Sequence, residues 1–219
     1  MSVHLQREIE KLKKQVFSLC AVVEDQVQMA VRAVLERDQA IAEGVQHRDS
    51  DIDHQEVVIE EECLKILALH QPVAIDLRLI IASLKMNNDL ERIGDEAVTI
   101  ARQASALAVE PTAEIPFDLA GMWSKAQTML RDSLDALINM DTKLAADVCA
   151  RDDEVDRIKR DFRLHAEDMI RVGPERVGTL LKLLAVSRSL ERIADLATNI
   201  AEDVIYMVQG RIVRHGKAK

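Results

Sequence analysis

The chain of 219 residues carries an internal repeat, and this repeat constrains its fold more than any other feature. Residues 90–97 read LERIGDEA and residues 190–197 read LERIADLA, at an offset of 100. Residues 49–53 also match residues 152–156, and residues 34–38 match residues 137–141, both at an offset of 103. Because the matches keep one order, they indicate duplication of a unit of about 100 residues, which suits two tandem domains rather than a solenoid.

The composition favours helices within each unit. The sequence contains only seven Gly and four Pro, and its aromatic residues are three Phe, one Tyr and one Trp. Sheet proteins need turn-forming residues and are rich in aromatic and β-branched strand residues, whereas abundant Ala, Leu, Glu and Arg favour long helices. We therefore predict an all-α fold of two tandem, similar three-helix bundles.

The positions of glycine and proline predict where the helices end. Gly44 is expected to break the first helix, and Pro72 and Pro174 are expected to end the second helix of each unit. The predicted helices span residues 4–43, 48–70, 72–108, 117–145, 147–172 and 175–209. Two prolines interrupt residues 109–116, so the predicted domains are residues 1–110 and 116–219. Short connections between long helices predict antiparallel neighbours in each bundle.

Charge, hydropathy and cysteine usage exclude several classes of protein. A net charge of −9 disfavours a nucleic-acid partner, which requires a basic surface. The sequence has neither an apolar stretch long enough to span a membrane nor a secretory signal at residues 1–10, so we expect a cytoplasmic protein. Cys20, Cys63 and Cys149 are isolated from one another and predict reduced thiols rather than disulfides or a zinc site.

Pairs of carboxylates spaced four residues apart occur at matched positions of the two units. Such a spacing places both side chains on one helix face, where like charges repel by a few tenths of a kcal/mol. The candidate metal ligands are Asp49, Asp53, Glu91 and Asp95 in the first unit, and Asp152, Asp156, Glu191 and Asp195 in the second.

The numbering predicts that each set of four meets at one level. Asp53 and Glu91 are equidistant from the turn at Pro72, and so are Asp49 and Asp95. In the second unit, Asp156 and Glu191, and likewise Asp152 and Asp195, are equidistant from the turn after residue 173. Antiparallel helices with equal rise bring such residues together. Oxygen ligands suit Mg²⁺, Mn²⁺, Ca²⁺ or iron better than structural zinc. The alternative is that the carboxylates lie on solvated helix faces and form salt bridges with nearby arginines.

Four further polar residues have open roles. Asp38 and Asp141 lie near the predicted ends of the first and fourth helices, where they could add metal ligands or cap helices. Asn199 and Asp203 continue the acidic row of the second unit, whereas the first unit has neutral side chains there. This difference suggests that the two sites are not identical.

Two segments resemble the PhoU family. Residues 71–78, QPVAIDLR, followed by residues 88–95, NDLERIGD, resemble its first half, and residues 189–203, SLERIADLATNIAED, resemble its second. The resemblance covers nearly the whole chain and implies two similar three-helix bundles. It also implies metal clusters of iron, zinc, manganese or magnesium on Glu/Asp-x-x-x-Asp motifs, which correspond here to the eight carboxylates named above.

The resemblance implies a regulatory function without catalysis. We expect a negative regulator of phosphate uptake and of the phosphate-starvation response, an adaptor between the ATPase of a phosphate ABC transporter and a sensor histidine kinase, and a homodimer. A regulator or chaperone of another transporter is the nearest alternative. A metal-dependent phosphatase is disfavoured because no phosphate-binding glycine-rich loop is visible, and a di-metal oxidase or iron store because no Glu-x-x-His motif occurs.

Overall fold

The computed structural model describes residues 3–110, 117–173 and 176–212, and these ranges contain helices and no strand. The helices are α1 (Val3–Glu36), α2 (Gln39–His70), α3 (Ala74–Ala108), α4 (Leu119–Asn139), α5 (Thr142–Val172) and α6 (Val177–Gln209). Helices α1 to α3 pack on one another as one bundle, and α4 to α6 as a second. The predicted all-α fold of two three-helix bundles is therefore confirmed. None of the described helices is both long enough and apolar enough to cross a bilayer.

The first break of each bundle comes earlier than the sequence predicted. The prediction of a helix over residues 4–43, broken by Gly44, is wrong, because α1 ends at Glu36 and Gly44 lies inside α2. The predicted junction between residues 117–145 and 147–172 is likewise wrong, because α4 ends at Asn139. Arg37 and Met140 each have a φ of 53°, and this left-handed backbone ends the helix before them.

An aspartate caps the helix that follows each break. Asp38 Oδ1 accepts a hydrogen bond from the Ile41 amide at 3.0 Å. Asp141 Oδ1 accepts from the amides of Lys143 and Leu144, at 2.9 and 3.1 Å. Each cap satisfies amides that have no partner within the helix and stabilises it by about 1 kcal/mol. Capping is thus the observed role of both aspartates.

The second break of the first bundle lies close to its predicted place. Gln71 has a left-handed φ of 45° and its amide donates to the Leu67 carbonyl, which closes α2. Helix α3 begins at Ala74, two residues after Pro72. The predicted linker prolines and Pro174 lie outside the described residues. The division into residues 1–110 and 116–219 therefore stays a prediction.

Helices α3 and α6 join the two bundles. Buried apolar side chains from all six helices form one core cluster. Lys85 of α3 donates to Asp203 of α6 at 3.0 Å, and Arg192 of α6 donates to Glu96 of α3 at 2.8 Å. Because the earlier residue of one helix meets the later residue of the other, the two helices run antiparallel. The segments LERIGDEA and LERIADLA therefore lie side by side in the middle of the molecule.

The three cysteines are free thiols in separate places. Burial raises the pKa of Cys20 and of Cys63 to about 12. Burial, together with the negative charges of Glu202 and Asp152, raises the pKa of Cys149 to about 11. These thiols stay protonated near neutral pH, as expected for unreactive core cysteines.

Candidate metal centre

The carboxylates of α3 lie beside the buried seam of the first bundle. Leu90 and Ile93 are completely buried in the core. Their neighbours Glu91 and Asp95 are half-buried and exposed, respectively, because they occupy the adjoining helix face. The same arrangement recurs on α6, where Glu191 and Asp195 flank a buried seam. In both units the carboxylates therefore lie on the helix face beside the core row rather than within it.

The first acidic cluster lies between α2 and α3 and consists of Asp49, Asp53, Glu56, Glu91 and Asp95. Burial raises the pKa of Glu91, and the negative charges of the other four carboxylates raise it further. Burial also raises the pKa of Asp49, with further contributions from Asp53 and Asp95 and an opposing one from Arg102. The four residues predicted from their distance to Pro72 are thus close enough to repel one another.

The second acidic cluster lies between α5 and α6 and consists of Asp152, Asp156, Glu191 and Asp195. The surrounding helices desolvate Asp195, and the charges of the other three members add to this effect and raise its pKa to about 6. Burial, followed by the charges of Asp156, Asp153 and Glu191, raises the pKa of Asp152, whereas a hydrogen bond from Thr198 lowers it. The second predicted set of four therefore also comes together.

Sequence reasoning missed two charged residues at equivalent positions of the repeat. Glu56 joins the first cluster, where its pKa is raised by burial and then by the charges of Glu60 and Asp53. Lys159, at the offset of 103, donates a hydrogen bond to the carboxylate of Glu191 in the second. Both residues follow a cluster aspartate by three positions, a spacing that keeps them on the same helix face.

A buried side-chain oxygen without a hydrogen-bond partner occurs next to the first cluster in sequence, at Asn87. Asn87 precedes Glu91 by one helical turn, and its Nδ2 donates to the backbone carbonyl of Glu56 at 2.9 Å. Its Oδ1 is buried and has no hydrogen-bond partner, and the whole residue is 1 % exposed. The equivalent residue of the second unit, Ser187, donates to the Leu184 carbonyl within its own helix. A buried acceptor without a partner costs about 1–3 kcal/mol unless some donor or cation satisfies it.

An open groove of about 1450 Å³ between α3, α5 and α6 reaches both clusters. Asp95 of the first cluster and Asp152 and Asp195 of the second line it, together with Asn199 and Asp203. Asn199 is exposed there, whereas Asp203 is buried and accepts the hydrogen bond from Lys85. Of the two residues that extend the second acidic row, Asp203 is therefore already in an ion pair.

Three arginines near the motifs pair with acids outside the clusters. Arg48 bonds to Asp25 at 3.1 Å, Arg92 lies 3.5 Å from Asp89, and Arg192 bonds to Glu96. These three arginines are engaged outside the clusters, whereas Lys159 pairs with Glu191 and Arg102 acts on Asp49. The alternative of faces neutralised by neighbouring arginines is therefore weakened only for these three arginines.

The donor set fits a hard cation in its chemistry. Repelling carboxylates and the unpartnered Asn87 oxygen are groups that Mg²⁺ or Mn²⁺ would stabilise. Across residues 3–110, 117–173 and 176–212, however, no three carboxylate, imidazole or thiol side chains converge as a ready-made metal site. Ligation would require the side chains to draw together, and it stays a prediction.

Comparisons with known proteins agree with the duplicated helical fold. The model of the PhoU domain matches residues 16–104 and again residues 119–204. The chain belongs to the PhoU family. A PhoU homologue of Pseudomonas putida, named a phosphate-specific transport system accessory protein, is 38 % identical over 216 residues, which are 98 % of this chain and 84 % of that protein. An Aquifex aeolicus PhoU homologue with the same name is 37 % identical, covering 97 % of this chain and 96 % of its own length.

Solved PhoU structures share the fold along nearly the whole chain. The crystal structure of PhoU from Pseudomonas aeruginosa matches with a TM-score of 0.91 and 39 % identity, covering 94 % of this chain and 99 % of that one. The regulatory protein PhoU of the phosphate transport system of Streptococcus pneumoniae matches with a TM-score of 0.85 and 26 % identity, covering 96 % and 100 %. The resemblance read from the sequence is confirmed.

Proposed function

We propose that this protein is a regulatory accessory protein of a phosphate-specific transport system and that it acts by contact rather than by catalysis. The similarity to PhoU accessory proteins carries this proposal, since it extends over 98 % of the chain at 38 % identity. Both PhoU domains are present, in the order and at the spacing of the internal repeat. The chain therefore has the complete architecture of these accessory proteins rather than a part of it.

The partners follow from the family resemblance. We infer that the protein acts in the cytoplasm, between the ATPase of a phosphate ABC transporter and a sensor histidine kinase, and as a homodimer. Long helices offer the exposed faces that helix-in-groove contacts use. Val57 and Leu64 lie seven residues apart on α2 and are 48 % and 53 % exposed, so one face of this helix presents apolar side chains to solvent.

The acidic clusters are proposed to bind metal ions. The ligands would come from Asp49, Asp53, Glu91 and Asp95 in the first cluster, and from Asp152, Asp156, Glu191 and Asp195 in the second. A bound divalent or trivalent cation, such as magnesium, manganese, iron or zinc, would neutralise the carboxylates and hold the two helices of each hairpin together. The pKa values of Glu91 and Asp195 are raised by burial first and by carboxylate repulsion second, and a nearby cation would offset both effects, which supports this role.

Gene deletion tests the regulatory function. In phosphate-rich medium, deletion should activate a reporter of the phosphate-starvation response, and a plasmid copy of the gene should silence it again. A reporter that stays silent after deletion contradicts the proposal. Phosphate uptake in the same strains separates phosphate regulation from control of another transporter, for which uptake would not change.

Elemental analysis tests the metal proposal separately. Protein purified without chelators should contain metal, and the Glu91→Ala/Asp195→Ala double variant should contain much less. Asp161→Ala is a matched control, because Asp161 is an exposed carboxylate of α5 outside both clusters. Equal metal content in all three proteins would reject these ligands while leaving the regulatory function open.

A further inference from the structure

The two clusters differ in charge at one equivalent position of the repeat. Glu56 on α2 and Lys159 on α5 correspond at the offset of 103 that also relates Asp53 to Asp156. Glu56 adds a negative charge beside Glu91. Lys159 instead places its ammonium group on the carboxylate of Glu191, which is largely buried, with 13 % of its side chain exposed. One cluster gains a carboxylate where the other gains a cation.

The polar residues beside the first cluster also differ from those beside the second. Asn87 holds the Glu56 backbone with its amide nitrogen and leaves a buried oxygen without a donor. The second unit has Ser187 at this position, and its hydroxyl is satisfied by its own helix. Among the described residues, the second cluster has no counterpart to this unpartnered Asn87 oxygen, which lies one helical turn before Glu91.

We propose that Lys159 serves as a built-in cation of the second cluster, so that the first cluster is the high-affinity metal site and the second binds metal more weakly. This inference rests on the proposed metal binding and concerns residues particular to this chain. To bind at Glu191, a metal ion has to displace an ammonium group that already neutralises this carboxylate. At Glu91 it meets the negative charge of Glu56 instead of a competing cation, one helical turn from the unpartnered Asn87 oxygen.

Other charges modulate this difference without removing it. Arg102 acts on Asp49, at the end of the first cluster away from Glu56. At the second cluster, Lys159 faces Asp195 as well as Glu191, while Asp153 adds negative charge near Asp152. Within the part of the chain that the structure describes, neither Asp152 nor Asp195 forms a salt bridge, and weak binding is therefore expected there rather than none.

Calorimetric titration of the metal-free, full-length protein with Mn²⁺ tests the proposal. The wild type should show two classes of site, with dissociation constants that differ on the order of tenfold or more. Glu91→Ala should abolish the tight class, and Asp195→Ala should abolish the weak class. Two equal classes, or loss of the tight class on Asp195→Ala, would overturn the assignment.

Charge exchange at residue 159 isolates the role of the lysine. Lys159→Glu gives the second cluster the charge of the first and should tighten the weak class on the order of tenfold. Lys159→Met, which removes the charge without adding a ligand, should tighten it by less. Arg160→Glu makes the same charge change at an exposed neighbour on α5 and should leave both classes within about twofold of the wild type, because water and salt screen exposed charges.

The outcomes separate this inference from the proposals on which it rests. If Lys159→Glu and Arg160→Glu behave alike, the lysine has no specific role and the inference fails while metal binding stands. If the wild type binds no Mn²⁺ in either cluster, the metal proposal fails as well. The starvation reporter then still decides the regulatory function independently. Circular dichroism of each variant establishes that it is folded before titration.

Discussion

Replacing Asp195 by asparagine in the metal-free protein should stabilise the fold at neutral pH. Burial desolvates Asp195, and Glu191, Asp152 and Asp156 repel it, so its pKa rises from 3.8 to about 6. A carboxyl whose pKa is raised by folding destabilises the native state wherever it is ionised. Asparagine keeps the shape of the side chain and removes the charge, so it removes this penalty.

The magnitude follows from linkage. A rise of about two pKa units corresponds to about 3 kcal/mol at pH above 6, at 1.36 kcal/mol per unit. Because Asp195 is exposed, solvent screening reduces this penalty to about 1 kcal/mol. The penalty is complete above pH 6, is mostly lost by pH 4, and vanishes below the unfolded pKa of 3.8, where the carboxyl is protonated in both states. A gain of 1 kcal/mol raises the melting temperature of a chain of this size by about 2–4 °C.

Thermal melting in EDTA from pH 4 to pH 8 measures this effect. Asp195→Asn should melt about 2–4 °C above the wild type at pH 8, and the two curves should converge near pH 4. Asp161→Asn on α5 is the matched control and should follow the wild type throughout. A variant that melts below the wild type at pH 8, or a difference independent of pH, would refute the electrostatic reasoning.

Three further substitutions test the fold. Asp38→Ala removes the cap of α2 and should lower the melting temperature by about 2–4 °C, from a loss of about 1 kcal/mol; no change would mean that the cap is dispensable. Gly94→Leu should lower the urea midpoint through a loss of about 1–3 kcal/mol, because a Cβ there would lie 3.0 Å from Cδ1 of Ile52; an unchanged midpoint would contradict the close packing. Arg192→Ala breaks the ion pair with Glu96 at the groove. Because the Arg192 side chain is 58 % exposed, the free energy of unfolding should fall by less than about 1 kcal/mol in the same urea assay. A larger fall would show that the pair holds the bundles together.

The level at which the carboxylates meet could be predicted from sequence because helix rise is constant. Once Pro72 is taken as the centre of a hairpin, counting outward places Asp53 against Glu91 and Asp49 against Asp95. The repeat then transfers the result to the second unit. The structure brings both sets within electrostatic reach, so this part of the candidate site required no knowledge of tertiary contacts.

The helix breaks could not be found in the same way. Glycine in a helix interior costs only about 1 kcal/mol, and a Cβ at Gly44 would meet little besides Met29, so α2 continues through it. The real break follows from the left-handed backbone of Arg37, a residue that rarely adopts this conformation. The usable signal was Asp38, a residue typical of helix starts and repeated at Asp141.

The ion pair of Lys159 also lay beyond sequence reasoning. Counting from the turn gives the height of a residue but not the direction of a long, flexible side chain. Lys159 of α5 is half-buried. From the sequence alone, its side chain could point to solvent as readily as to Glu191 at a similar height on α6. An alignment of the two units places Lys159 opposite Glu56, a charge difference that the sequence already shows. The difference becomes informative once both clusters are known to form.

Anomalous diffraction at the manganese edge, from crystals of the full-length protein soaked in MnCl₂, tests the central claim most directly. The account predicts one anomalous peak between α2 and α3 at Asp53, Glu56 and Glu91, and a weaker peak between α5 and α6 at Asp152 and Asp195. Crystals that show no peak at either cluster, or peaks only elsewhere on the surface, would contradict the claim that these helix hairpins assemble metal-binding carboxylates.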